Sequence, residues 1–474
     1  MMKLWIAAAI ASLAVAGIAR SEDLATVYQN ALESDPLIRE ADANRLAARE
    51  ARPQAWANLL PQINGTLQAS RNPSESTQPD FQVQPDGSVV IVPIPTEGET
   101  DSDGYTLQLR QNVFSWTNWV TLRRASREVA QAEADFQTAT QDLVLRVAQR
   151  YFDVLAERDN LDAQQASLDA TSRQLEQAEK RFEVGLIAIT DVQEAKAARD
   201  TGAAAVIATK RSLATAEELL REVTGQKYSQ LAKPREDMPL KTPDPEDAER
   251  WVEVSMNQNL ALLSSRLAAD IARDNVGIAR GGHFPTIGLT AVRNDVDNDV
   301  DTTTFVSGPG GALTPQTNLF KTERTDDSIE LQLTMPIFSG GLTTSQTRQS
   351  RFRWIAARER LQRVSRETER LARDSYLGVI SEIARVQALR QAQESSQTAL
   401  KATEAGYEVG TRTAVDVLDA RRTLVQAQTN YARSRYDYLL NVFRLRQAAG
   451  NLDGATVSEI NAWLAETAPP APKQ

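Results

Sequence analysis

The chain has 474 residues, one His, no Cys and a formal net charge of −10. That composition excludes thiol catalysis, disulfides and the usual zinc sites, and an acidic chain is not built to seek nucleic-acid phosphates. No phosphate-binding G-x-x-x-x-G-K-[ST] or G-x-G-x-x-G run is present, and His283, in "GGHFPT", has no second His to share a site with. No enzyme, cofactor or metal site is expected, and His283 reads as a rim residue.

The first segment, residues 1–21, is a signal peptide: Lys3, an apolar run of 15 residues ("LWIAAAIASLAVAGI") and a small-x-small site at Ala19-Arg20-Ser21. The run falls short of the ~20 residues of a spanning helix. An exported chain starting near Glu22 follows, and without Cys it has no lipoprotein anchor.

From residue 22 the chain is written twice. "RFEVGLIAITDVQEA" (181–195) aligns without a gap to "GYEVGTRTAVDVLDA" (406–420), 225 residues on. "LPQINGTLQAS" (60–70) answers "FPTIGLTAVRN" (284–294). The first repeat, 22–225, reads as a helix (23–58), a β-hairpin at about 60–115, a long helix at about 119–184, a turn, and a helix at about 190–224. A Pro- and charge-rich linker, 226–247, precedes the second repeat, 248–450. That repeat has a hairpin at about 284–338, a long helix at about 342–409 and a last helix at about 413–449. Residues 451–474 form a C-terminal segment and tail.

The hairpins are expected to carry four strands of about nine to eleven residues, the length that crosses a bilayer as β-structure. Ile63, Gly65, Leu67 and Ala69 alternate with Gln62, Asn64, Thr66 and Gln68, and Ile329, Leu331 and Leu333 with Glu330, Gln332 and Thr334. Leu107 and Leu109, and Ile287, Leu289 and Ala291, alternate likewise. Trp116 and Trp119 follow the second strand, where an interfacial girdle sits. Four strands cannot close a barrel, and open edges in lipid are costly, so the chain must oligomerise. The tips 71–104 and 294–327, rich in Pro, Gly, Asp and Thr, read as long polar loops outside the membrane.

The long helices announce themselves by heptads. Val147, Val154, Leu161, Leu168, Leu175 and Phe182 fall seven apart; Ala372, Val379, Val386, Gln393, Leu400 and Tyr407 repeat the phase. Each series follows a step of four, a stutter that locally unwinds a left-handed supercoil. Without Pro, residues 120–184 make one helix about 98 Å long at about 1.5 Å per residue. The helices alone fit a soluble periplasmic coiled-coil scaffold; the strands favour a channel.

At the repeated stretch, Gly185 and Gly410 suit left-handed helix C-caps, and "TDVQ" (190–193) reads as a capping box. Asp191 and Glu194, and Asp416 and Asp419, fall in first helical turns, where the helix dipole favours acids. The copies differ where Phe182 answers Tyr407 and Ile187 answers Arg412.

With "EDLATVYQNALESDPLI" at its start and the two "VG…DV" turns in order, the chain resembles the TolC-type outer-membrane efflux channels from about Glu22 to the 460s. The resemblance implies an α+β membrane protein: a homotrimer with a 12-stranded barrel, four strands per chain, continuous with a coiled-coil periplasmic tunnel. It implies an outer-membrane export duct for efflux or type I secretion, in contact with outer-membrane lipid. Its partners would be a periplasmic adaptor and an inner-membrane transporter of RND type or ABC type, which selects the cargo. It assigns Thr190, Asp191, Tyr407 and Arg412, with Glu404, to a latch holding the tunnel shut, and Asp416 and Asp419 to rings at its narrowest point.

Overall fold

A computed structural model describes residues 22–84, 86–307 and 313–464; the signal-peptide reading lies outside these residues. In chain order they form α1 (Leu24–Ser34), α2 (Pro36–Arg49), α3 (Ala51–Ala57), β1 (Gln62–Val83), β2 (Val89–Ser115), α4 (Trp116–Glu183) and α5 (Ile189–Thr224). There follow α6 (Ala248–Gln258), α7 (Leu260–Gly281), β3 (Thr286–Ser307), β4 (Leu313–Thr334), α8 (Leu342–Glu408), α9 (Ala414–Ala448) and α10 (Gly454–Asn461). Two compact units result, one of Met1–Leu46, Gln131–Arg266 and Glu359–Gln474, the other of Ala47–Ala130 and Leu267–Arg358. Both long helices, α4 and α8, contribute to each. No described helix is long and apolar enough to cross a membrane.

The second unit holds one antiparallel sheet in the order β1-β2-β3-β4, which leaves β1 and β4 as its edges. Register turns alternation into a face. Ile63 opposes Leu109, which opposes Ala291, which opposes Ile329, so four apolar side chains share one row and one side. The neighbouring row on the other side is Gln62, Arg110, Thr290 and Glu330. In the single chain both ends of the apolar row lie open: Ile63 is 65% exposed and Ile329 82%. Trp116 and Phe284 pack at the base of the sheet, ring centroids 5.3 Å apart and planes tilted by 39°.

The strands overrun their expected length. They have 22, 27, 22 and 22 residues, and most of each tip read as a loop is ladder, out to Val83 and Val89 in the first hairpin and to Ser307 and Leu313 in the second. The first hairpin turns only at residues 84–88, where Gly87 adopts φ 81° and Asp86 accepts from the Ser88 amide. Above the apolar rows cross-strand polar pairs replace burial, and apolar pairs return near the first turn, where Phe81 opposes Ile91 and Val83 opposes Val89. Arg71 pairs with Glu99, Ser102 bonds Asn298, Thr106 Oγ1 donates to Asn294 at 2.8 Å, and the Thr303 and Thr317 hydroxyls lie 3.0 Å apart.

The first unit contains the core. Val27 and Ala31 of α1, Leu143, Val147, Tyr151 and Leu155 of α4, Leu439 and Phe443 of α9 and Ile460 of α10 are fully buried together. The Tyr151 hydroxyl donates to the Ala232 carbonyl at 2.8 Å. The inter-repeat segment is therefore packed rather than loose: Leu231 and Ala232 are buried, Leu231 bridges Glu22, and Pro234 bridges Leu464. Val154, Ala372, Val379 and Val386 of the heptad series are buried as well.

The first helix is not continuous over 23–58. It breaks at Asp35 because Pro36 starts α2 and disfavours helical backbone at the residue before it. Asp35, with ψ 119°, caps α2 by accepting from the Leu37 amide at 2.8 Å. Its other oxygen takes Arg146 of α4. The second repeat breaks at the matching residue: Asn259, ψ 124°, accepts from the Leu262 amide at 3.0 Å and donates to the Ala448 carbonyl at 3.0 Å. A second break, at Glu50, separates α2 from α3 and has no counterpart in α7.

Candidate functional site

Both long helices end in the same backbone device. After α4, the Leu186 amide bonds the Arg181 carbonyl at 2.8 Å and the Gly185 amide the Phe182 carbonyl at 2.9 Å, with Gly185 at φ 74°. After α8, the Thr411 amide bonds Gly406 at 2.8 Å and the Gly410 amide bonds Tyr407 at 3.1 Å, with Gly410 at φ 79°. These paired bonds make a Schellman motif, which needs left-handed backbone at the glycine. Space is not the reason for Gly, since nothing lies within 4 Å of a Cβ at either position.

The helices that leave the turns start differently. Thr413 caps α9: its hydroxyl accepts from the Asp416 amide at 3.2 Å, and the Asp416 carboxylate accepts from the Thr413 amide at 2.9 Å. This reciprocal box holds the Asp416 carboxyl below the usual carboxylate range, chiefly through that amide, with the Thr413 hydroxyl and the Arg412 charge adding to it. In the first copy the cap is Ala188, which offers no side-chain oxygen. The box expected at "TDVQ" is therefore absent. Thr190 already lies inside α5, past the position from which a hydroxyl caps. A small apolar cluster of Ala178, Val192 and Ala195, with Leu175 and Ile187 against it, packs α4 on α5 at that end.

Charged pairs deepen the asymmetry. Glu404 of α8 binds Arg421 of α9 at 2.5 Å, and Asp419 binds Arg422 at 3.3 Å. Glu179 and Lys196, which answer Glu404 and Arg421, form no ion pair among the described residues. One ion pair, Glu404–Arg421, thus staples the second hairpin of helices across its turn, and the matching positions of the first carry none among the described residues.

Tyr407 and Arg412 make no hydrogen bond to Thr190 or Asp191 within one chain. Tyr407 instead receives Arg181, whose guanidinium carbon lies 5.6 Å from the ring centroid. Arg412 lays its stem over Gly406, whose place a Cβ would dispute at 2.8 Å from Arg412 Cγ. Glu404, expected in the latch, is engaged by Arg421. Arg181 and Arg421 went unnoticed in the sequence. One signal was available: the ungapped repeat sets Arg181 opposite Gly406, an inequality as large as that of Phe182 and Tyr407. Among the described residues no group of three His, Asp or Glu is arranged to hold a metal ion.

The profile described as "Outer membrane efflux protein" matches residues 27–226 and 251–451, one match per repeat. The chain belongs to the outer membrane efflux protein family. It is 38% identical over 464 residues to outer membrane protein TolC of Vibrio cholerae serotype O1, covering 98% of each chain. It is 27% identical to the alkaline protease secretion protein AprF of Pseudomonas aeruginosa, covering 94% of this chain and 88% of that one. The Campylobacter jejuni CmeC outer membrane channel shares the fold, with a TM-score of 0.69 at 17% identity over 93% of this chain and 89% of that one. The family member described here is an outer-membrane channel, four strands per chain in a barrel completed by three copies, with a long helical periplasmic part. It is an export duct that works with a periplasmic adaptor and an inner-membrane transporter.

Proposed function

We propose that this channel is a passive, gated exit with no catalytic activity of its own, and that it serves both efflux of small molecules and secretion of proteins. The observation that carries the reading is the sheet: one apolar face registered across four strands, and two free edges for other copies. The relatives' names include both efflux pump and protease secretion components, so one duct suits either cargo, with the choice left to the inner-membrane transporter, RND-type or ABC-type.

The tunnel closes at the two turns. Tyr407 and Arg412, free of Thr190 and Asp191 within one chain, meet them between turns of the closed trimer. Glu404, through Arg421, stiffens the hairpin that carries Tyr407 and Arg412. Asp416 and Asp419 from three chains approach one axis and favour cations. Each latch bond contributes about 1.5–3 kcal/mol at most, and less where water reaches it, so a docking partner can release it.

Single-channel recording in planar bilayers tests the reading. Tyr407→Phe with Arg412→Ser should raise conductance several-fold with trimers intact. Asp191→Ala should do much the same and add little to the double variant, because one network counts once. Wild-type conductance in all of them would refute the latch. Asp416→Ala with Asp419→Ala should reduce cation preference; an unchanged reversal potential removes both residues from the pore.

A further inference from the structure

We propose that Arg181 is a gate-positioning residue: its guanidinium, lying on the Tyr407 ring, clasps the end of one long helix to the end of the other within each chain. The inference rests on the gated reading of the turns and adds to it a contact made by the ring, not by its hydroxyl.

Three observations converge on Arg181. Its guanidinium carbon is 5.6 Å from the Tyr407 centroid, inside the range of a cation–π contact. It has no carboxylate within ion-pair distance among the described residues, although Glu179 and Glu183 flank it in sequence. Its backbone is fixed, because its carbonyl accepts the closing bond of the first Schellman turn from Leu186. The side chain thus springs from a locked turn and ends on an aromatic face of the other helical hairpin.

The contact occurs once per chain, and the repeat shows why it has no mirror image. The residue answering Arg181 is Gly406, where any side chain would meet Arg412 Cγ at 2.8 Å. The residue answering Tyr407 is Phe182. An arginine in the second copy would have to displace Arg412. The division of labour follows: Arg412 and the Tyr407 hydroxyl are left to bonds between turns, while the Tyr407 face is taken by Arg181.

The hairpins so joined are unequal. The second is held by the Thr413–Asp416 box and the Glu404–Arg421 pair. The first has an uncapped α5 and no such pair. The clasp therefore transmits the position of the stiff hairpin to the pliant one. Losing it frees the first turn while leaving the second folded.

The test uses trimers in planar bilayers with four variants: Arg181→Gln, Arg181→Lys, Tyr407→Phe and Tyr407→Leu. A cation–π contact of ordinary strength biases closure by about two- to fivefold per clasp, hence roughly ten- to hundredfold for three acting together. Arg181→Gln and Tyr407→Leu should each raise the open fraction on that scale, and combining them should add little. Arg181→Lys should restore most of the closure. The deciding comparison is made in the Tyr407→Phe background, where the ring remains: Arg181→Gln should still open the channel further there. If Arg181→Gln leaves the open fraction at the wild-type level while Tyr407→Leu raises it, the clasp is refuted and the hydroxyl latch stands. If neither opens the channel, the gated reading falls with it.

Discussion

Replacing Asp35 would separate two contributions that one carboxylate makes at the break between α1 and α2. One oxygen caps α2 through the Leu37 amide at 2.8 Å, and the other takes Arg146. The cap contributes about 1 kcal/mol. The pair contributes more, because the Asp35 side chain is only 4% exposed, although Arg146, at 29%, keeps some access to water. Stranding that guanidinium costs about 1.5–3 kcal/mol, short of the loss seen for fully buried pairs. Asp35→Ala should therefore destabilise the chain by about 2.5–4 kcal/mol. Asp35→Asn keeps an oxygen for the cap, as Asn259 does in the second repeat, and should cost only the pair. Asn259→Ala removes a cap and one amide bond to Ala448, without charge, and should cost about 1–2 kcal/mol. Guanidinium denaturation followed by circular dichroism, on trimers in one detergent, would order the variants. Equal losses for Asp35→Asn and Asp35→Ala would show that the carboxylate does not cap. An Asn259→Ala loss as large as that of Asp35→Ala would show that Arg146 contributes nothing.

Three further outcomes are expected. Leu331→Lys places a cation on the apolar face and should cost about 2–4 kcal/mol if that face meets lipid, seen as lost trimer in outer-membrane fractions, while Gln332→Lys on the opposite face should assemble normally. Removing residues 77–95 and joining Ser76 to Thr96 through Asn-Gly respects the register of β1 with β2 and the outer limit of the β2–β3 pairing, so trimers and export should survive; loss of assembly would mean that the tip takes part in closing the barrel. The Asp416 carboxyl lies below its ordinary value of 3.8, so its capping box is complete above that pH and lost as pH falls through the lower folded value. Amide exchange at 413–417 should therefore accelerate, after correction for the intrinsic rate, in strong acid, with no matching step at 188–192.

The residues that could be read from sequence were those whose pattern has a single physical solution. Alternation at Ile63–Ala69 and Ile329–Leu333 has one apolar side whatever it pairs with, and register only aligned these sides. The long helices were legible because nothing between residues 120 and 184 can stop them. The strand tips were misread because Pro, Gly, Asp and Thr ordinarily mark loops, whereas a ladder bonded on both sides needs no apolar residue once neighbours such as Thr106 and Asn294 pair across it. Pro79 and Pro93, facing each other, lie beyond the end of the β2–β3 pairing, where less of the ladder depends on their missing donors. The break at Asp35 has its signal in Pro36 and the one at Glu50 in Pro53, which has no amide to give the Arg49 carbonyl and crowds it. At the turns, the glycines were legible because left-handed backbone selects them. The cap of α5 lies at Ala188, two residues before the Thr190 expected, because "TDVQ" fits a cap as text while the chain enters the helix at Ile189. The clasp at Arg181 stayed hidden because it joins residues 226 apart in the chain, a distance over which local spacing carries no information.

The repeat also alters how the channel responds to mutation. Were the ring built from six copies of a single half, any substitution at a turn would strike all six positions at once, and a residue suited to one partner would be imposed on the other. With the halves fused, a change such as that between Ala188 and Thr413 strikes three alternate positions and spares the three between them. A fitting and its counterpart can then drift apart in chemistry without passing through a state in which both are altered. Hinge and brace, which a symmetric ring would have to compromise in one residue, are held by separate codons of the same gene.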